Sequence, residues 1–420
     1  MRRRWETDPK SAVDGRLSSW KSWPAFDATP PDISGRGVAK YGQRFKWGPL
    51  HLTAAELDPL RRQGDALMDA ALAEVGGRPC DDALAALQAA AAHRGNGAAA
   101  AVLRQALDVP AWVDWDRIER GQRVFVRYLP HAGLSLFYIS LVGGFSSGAI
   151  VKVLAATGKL GGSPHSAMVR LVDTVLFVVD VMVGGRSSLK PGGRGWCAAL
   201  RVRALHSAVR ARLKASEASW DSAGHRGVAI NQEDMCTTLL AFTHFVLVGI
   251  SALGGSVSKE DREDYLHCWR YVGYLFGVDE VYNPCTSEET AKARLESVFM
   301  HIVEPDEGSR SLAKSLLAAP GGGSQESRAF LMRCALCRAF IGDGLADALE
   351  LPNERPRRVV AILAFLRVYV FCLEAPLLGT LVAWFHVALL RLAQRLSAGG
   401  TRRHSIRRHQ GESAKKCPFQ

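Results

Sequence analysis

RVRALHSAVRARL, residues 201 to 213, decides how this chain is read. Arg203, His206 and Arg210 stand at i, i+3 and i+7, which places them on one face of an α-helix. Leu205, Ala208, Val209 and Leu213 supply apolar neighbours, so a histidine and two guanidinium groups lie beside core-facing surface. An imidazole buried next to permanent cations is held neutral, because nearby positive charge opposes protonation. A neutral imidazole offers a ring nitrogen to a metal or to haem iron, and arginines pair with propionates or other anions. The plainer reading of the same spacing is a helix whose arginines reach solvent around a hydrogen-bonded core histidine. Spacing alone leaves both open.

Three further stretches stand in order around this one: MVRLVDT (168–174), GVAINQEDMCTTLLAF (227–242) and YLHCWRYVGYLFGV (265–278). Together with Arg203-x-x-His206-x-x-x-Arg210 they resemble the latex-clearing protein (rubber oxygenase) family, which includes the ER-bound mpaB-type oxygenases. The resemblance covers roughly residues 40 to 300. It implies an all-α protein with a globin-like helical haem-binding core and a helical C-terminal extension. It implies haem b as cofactor, His206 as the proximal iron ligand, and Arg203 and Arg210 beside the cofactor. It further implies that Arg170, Thr174 and Thr238 are residues of the distal pocket. The activity implied is oxidative C=C cleavage, with dioxygen, of a lipophilic prenyl or isoprenoid substrate.

One departure bears on the substrate. Asp173 occupies a position where rubber-cleaving members carry a lysine able to reach the distal iron site, which argues against polyisoprene itself. Those members also use an acid ahead of the arginine motif as a base, yet residues 148 to 169 contain no Asp or Glu. That leaves Asp173 to take the role, provided it faces the distal side. Arg170, Asp173 and Thr174 share one helical face by their spacing; apart from the resemblance, they read as a helix arginine, an exposed acid and a core threonine. Asn231 to Asp234 read as a helix N-terminus, where acids favour the dipole.

Composition bounds the remainder. The 420 residues are 48% hydrophobic and 22% charged, ordinary for a globular chain able to bury a large core. A net charge of +12 is compatible with nucleic acid or an anionic membrane surface. No interleaving of aromatic and basic residues marks a nucleic-acid platform, so none is expected as partner. Nine scattered cysteines, an odd number, point to a reducing compartment. Cys334-x-x-Cys337 has no second pair to complete a zinc site and reads as packing. The start, Met1-Arg2-Arg3-Arg4 followed by WETDPKSAVDG, lacks the apolar region of a signal peptide. An intracellular location, cytoplasmic or membrane-associated, is therefore expected.

Along the chain, residues 1–50 read as an irregular N-terminal arm, 51–315 as the helical catalytic domain and 316–327 as a Gly/Ser linker. Residues 328–400 read as a helical C-terminal region and 401–420 as a basic tail. Thr53 three residues before Glu56 is a capping-box pattern. Two uncharged runs, 134–151 and 236–258, are long enough to span a bilayer. Their Ser, Thr and His residues need polar partners, which favours burial in a helical core. The apolar run from Val359 to Leu390 is interrupted by Arg367, Glu374, Pro376 and His386, and reads as two amphipathic helices meeting at Pro376. Peripheral membrane contact is expected there. ATGKLGGS (156–163) lacks the spacing of a phosphate-binding loop and is set aside. A reading of another class remains: a haem-free, membrane-peripheral helical protein that binds a lipid or a protein partner. His206 separates the two.

Overall fold

The computed structural model describes residues 38–76, 83–156, 164–215, 227–354, 356–375, 377–390 and 392. A two-stranded antiparallel hairpin comes first, β1 (Val38–Lys40) against β2 (Gln43–Phe45), with Val38 opposite Phe45. Tyr41 and Gly42 turn it with φ of 50° and 79°, the left-handed pair that a two-residue hairpin loop requires. Phe45 is fully buried, its ring edge-on to Phe299 at 5.5 Å. The irregular arm expected over residues 1–50 is thus corrected: its last part is a hairpin nailed to the core by one phenylalanine. Residues 1–37 and the basic tail 401–420 lie outside the described residues.

Helices make up nearly all the rest, as the all-α expectation required. They begin with α1 (Ala54–Arg61), α2 (Ala66–Glu74), α3 (Ala83–Arg94), α4 (Ala98–Leu107) and α5 (Trp115–Arg127). α6 (Leu129–Ser135) passes into a π-helical stretch, Leu136–Gly143, ahead of α7 (Gly148–Ala156). Next come α8 (Pro164–Met182), the short α9 (Arg186–Leu189) and the motif helix α10 (Arg194–Ala215). The series continues with α11 (Gln232–Phe242), α12 (His244–Ala252), α13 (Lys259–Leu275) and α14 (Glu288–His301). It closes with α15 (Glu307–Ala318), α16 (Arg328–Ile341), α17 (Asp343–Ala348), α18 (Arg357–Glu374) and α19 (Leu377–Leu390).

Local chemistry sets the starts of these helices. Thr53 and Glu56 form the expected capping box on α1, and Asn231 with Asp234 forms another on α11. Asp65 caps α2 by accepting from the Met68 amide. α5 and α13 cross at Gly121, where a Cβ would stand 2.3 Å from the Asp264 carbonyl oxygen, so only glycine admits the approach. Asp264 is buried at that crossing and receives Arg117 at 2.6 Å and Arg120 at 2.5 Å.

One hydrophobic cluster runs from Phe45 to Leu373 and contains residues from both sides of the expected 316–327 linker. That expectation is corrected too. α15 continues to Ala318, Leu316 to Ala319 are buried, and Gly322 and Gly323 turn the chain with φ of 79° and 90° toward Ser327, the cap of α16. The glycines serve left-handed turn positions between two packed helices rather than separating two domains. Cys334 and Cys337 are buried in the same cluster.

The two uncharged runs lie inside. Gln232–Ala252 is long and apolar enough to cross a membrane by composition, at a mean hydropathy of 1.7. It is instead broken at Thr243, whose hydroxyl donates to the Leu239 carbonyl at 2.8 Å, and Leu239, Leu240, Val246 and Leu247 are buried. In the other run, Ser135 donates to the His131 carbonyl and Ser140 to the Ala241 carbonyl. These internal partners are what a core placement demands.

Candidate functional site

α10 carries the motif and packs against α2, α3, α8 and α13. Arg203 is buried and holds Asp65 with both arms of its fork, Nε to Oδ2 at 2.6 Å and Nη2 to Oδ1 at 3.0 Å, while Nη1 donates to Gln105 Oε1 at 3.0 Å. Arg210 holds Asp69 through Nε at 2.9 Å and Nη2 at 2.9 Å, and donates from Nη1 to the Ile230 carbonyl at 2.7 Å. Ser207 adds a bond to Asp69 Oδ1 at 2.6 Å. Bidentate pairs of this kind fix geometry as well as charge. Glycines make the room: a Cβ at Gly64 would stand 2.9 Å from Arg210, and one at Gly277, where φ is +78°, only 2.5 Å from Asp65.

Two expectations change here. The spacing points Arg203 and Arg210 at an anionic cofactor; in the structure their guanidinium groups are engaged by Asp65, the cap of α2, and Asp69 within it, so they brace the motif helix. The imidazole was also expected to feel two permanent cations. Each of those charges is paired, so their fields at His206 are largely cancelled.

His206 itself is half-buried, one turn after Arg203, with its ring 5.9 Å from Phe276 at an angle of 64°. Phe276 stacks on Phe177 of α8 at 5.6 Å, and Phe177 lies 6.3 Å from Phe242 of α11. Phe242 stacks on Trp269 at 4.9 Å. A frame of aromatic rings therefore joins the motif helix to α8, α11 and α13. Thr174 is half-buried three residues before Phe177, hence on that face of α8. Asp173, four residues before Phe177, lies along the same side at its exposed edge. Thr238 is half-buried four residues before Phe242 on α11, and its hydroxyl donates to the Asp234 carbonyl at 2.7 Å. His206 thus stands beside Phe276, and helical spacing puts Thr174 and Thr238 on the helix faces that carry Phe177 and Phe242, with Asp173 exposed next to them. The Arg170 side chain lies outside the described residues.

Sequence reading missed Asp65, Asp69 and Gln105, which stand 138, 141 and 98 residues from the arginines they hold. It also missed Gln232, which donates to the carbonyls of Gly64 and Gly277 and accepts from the Asp279 amide, tying together the loops around the motif. At the start of α11, a polar cavity of about 400 Å³ is lined by Arg61, Lys152, Glu233, Asp234, His301 and Asp306. Burial, reinforced by the Glu233 charge, pushes the Asp234 carboxyl up to about 7. Among the described residues no three His, Cys, Asp or Glu side chains gather as ligands for a free metal ion.

With this geometry in view, the comparisons are specific. The family described as ER-bound oxygenase mpaB/B'/Rubber oxygenase, catalytic domain, matches residues 126–371, more than half of the chain. The chain belongs to this family of oxygenases. It is 25% identical over 210 residues to the rubber oxygenase of Streptomyces sp. (strain K30), a match covering 48% of this chain and 49% of that protein. The chain thus spans about half the length of the curated relative it matches. The structure of latex clearing protein in its closed state superposes with a TM-score of 0.52 at 22% identity, covering 83% of this chain and 93% of the other. That likeness establishes a shared helical fold.

Proposed function

We propose that this protein is a haem b-dependent oxygenase that cleaves a C=C bond of a lipophilic, isoprenoid-type substrate with dioxygen. The observation that supports the reading is His206 beside the linked rings of Phe276, Phe177 and Phe242, within a chain of this oxygenase family. The donor set suits haem better than a free ion, because a porphyrin brings its own nitrogens and needs one protein ligand. His206 supplies that ligand from a helix fixed on both sides by the Asp65 and Asp69 pairs. The two motif arginines do not suit the propionates, since both forks are already taken.

When bound, haem supplies the centre at which dioxygen is activated. Phe177, Phe242 and Phe276 exclude water and offer apolar surface to a hydrocarbon chain. Thr238 gives its proton to the Asp234 carbonyl, which leaves its oxygen lone pairs toward the site as acceptors. Asp173, exposed at the margin, is the side chain that accepts a proton from substrate in this reading. An acid there supplies no amine for the iron, unlike the lysine of rubber-cleaving relatives.

An absorption spectrum of the full chain produced with adequate haem tests the reading. A Soret band at one haem per chain, lost in His206→Ala and kept in Val281→Ser, is the expected result. Asp173→Asn should keep the band while oxygen consumption with short prenyl lipids falls about tenfold to a hundredfold, within the range of general-base contributions. A folded, colourless wild-type protein would refute the proposal and leave lipid or partner binding without haem as the function.

A further inference from the structure

Among the described residues, the C-terminal helices carry most of the exposed large apolar side chains. α18 buries Val359, Leu363, Leu366, Val370 and Leu373 against the core, yet turns Phe365, Val368 and Phe371 outward. α19 follows at a bend of 107° and exposes Leu377, Leu381, Trp384 and Phe385, with Leu377 at 84% accessibility. Glu374 and His386 are tied to the body of the protein and Tyr369 to His386, while Arg357, Arg358, Arg367 and Thr380 are exposed. Glu374 accepts from the Tyr128 hydroxyl at 2.7 Å and the Ser256 amide at 2.6 Å. His386 meets the Val126 carbonyl at 3.1 Å through Nδ1 and lies 3.4 Å from the Tyr369 hydroxyl through Nε2. Contiguous exposed apolar surface on this scale marks an interaction site.

We propose that the outer face of α18 and α19 docks on an anionic lipid bilayer, lying in the interface without spanning it. The inward face of α18 belongs to the protein core, so the helix cannot leave it to cross a membrane. α19 is likewise tied to the body of the protein through His386, whose Nδ1 meets the Val126 carbonyl at 3.1 Å. Charge selects the occupant. Residues 357–420 hold eleven Arg and Lys against two acids, Glu374 and Glu412, and Glu374 is engaged by Tyr128 and Ser256. A second copy of this chain would bring the same cationic segment to the contact and be repelled. Phosphatidylserine headgroups complement it, while Trp384 suits the headgroup level. The inference is independent of the haem reading.

Flotation of the full chain with phosphatidylcholine vesicles, with and without phosphatidylserine, tests it. Expected is strong partition to the anionic vesicles, weakened by salt, with quenching of Trp384 by brominated lipid. The variant carrying Phe371→Ser, Leu381→Ser and Trp384→Ser alters exposed positions only, so it should fold normally and bind about tenfold less or weaker. Val281→Ser, equally exposed elsewhere, should bind as wild type. Absence of flotation, flotation unchanged by the triple variant, or a dimer that the triple variant dissociates without any vesicle binding would each overturn the proposal.

Discussion

α11–α12 and α18–α19 are both apolar helix pairs, and they lie in opposite surroundings. The first is wrapped on every side by the bundle. The second rests one face on the bundle and leaves the other bare. Hydropathy does not separate them; the direction of their polar atoms does. In the inner pair, polar groups appear all round, with Thr238 and Thr243 satisfied by carbonyls of the preceding turn. In the outer pair, Glu374 and His386 bond to the body of the protein and Tyr369 to His386, and Phe365, Val368, Phe371, Leu377, Leu381, Trp384 and Phe385 are left exposed.

The sharpest way to break this contrast is to make the same deletion in each pair. Leu240→Ala in the inner pair, where the side chain is fully buried, should cost about 2–5 kcal/mol in denaturant unfolding. A smaller effect of opposite sign is expected at His244, buried in α12 with neither ring nitrogen hydrogen-bonded among the described residues. His244→Phe should stabilise by about 1–3 kcal/mol at pH 7, the cost of orphaned polar atoms. The smallest effect belongs to the outer pair: Leu381→Ala should change stability by less than about 0.5 kcal/mol. Equal costs at Leu240 and Leu381 would show that the outer face is covered after all.

His244 also gives the inner pair a pH signature. Burial, with Lys292 and Arg262 nearby, lowers its pKa to about 4. Below an unfolded pKa near 6.5, the unfolded chain takes up a proton that the folded one refuses, so folding loses free energy between pH 6.5 and 4. Asp234, raised to about 7, tilts stability the other way over an overlapping window, because the folded carboxyl binds its proton first. The wild-type curve therefore blends opposing slopes. The difference between His244→Phe and wild type isolates one of them: the advantage of the variant should widen as pH falls from 6.5 to 4.

The helical architecture was legible because its signals are local. Thr53 with Glu56 and Asn231 with Asp234 announce helix starts within four residues, and the structure places caps at both. The motif face around His206 was legible for the same reason. Its supports were not, since Asp65 and Asp69 reach the arginines only through the fold, and Gly64 and Gly277 matter only once those side chains are in place. The 316–327 stretch was misread because glycine and serine look alike in a tether and in a tight turn; the burial of Leu316 to Ala319 tells them apart. The run from Val359 to Leu390 reads in sequence as two amphipathic helices, but which residues face outward shows only in the fold, where Phe365, Val368 and Phe371 are exposed.

The separation of the two brace pairs has a consequence for the order of assembly. Asp65 and Asp69 enter the chain about 140 residues before the arginines they neutralise, and outside the stretch 126–371 shared with the family. Contacts this distant in sequence close late, after local helices have formed. Until α2 arrives, the motif helix carries two uncompensated guanidinium groups on the face that must enter the core. The family core thus takes two of the carboxylates that fix its histidine helix from outside the matched stretch.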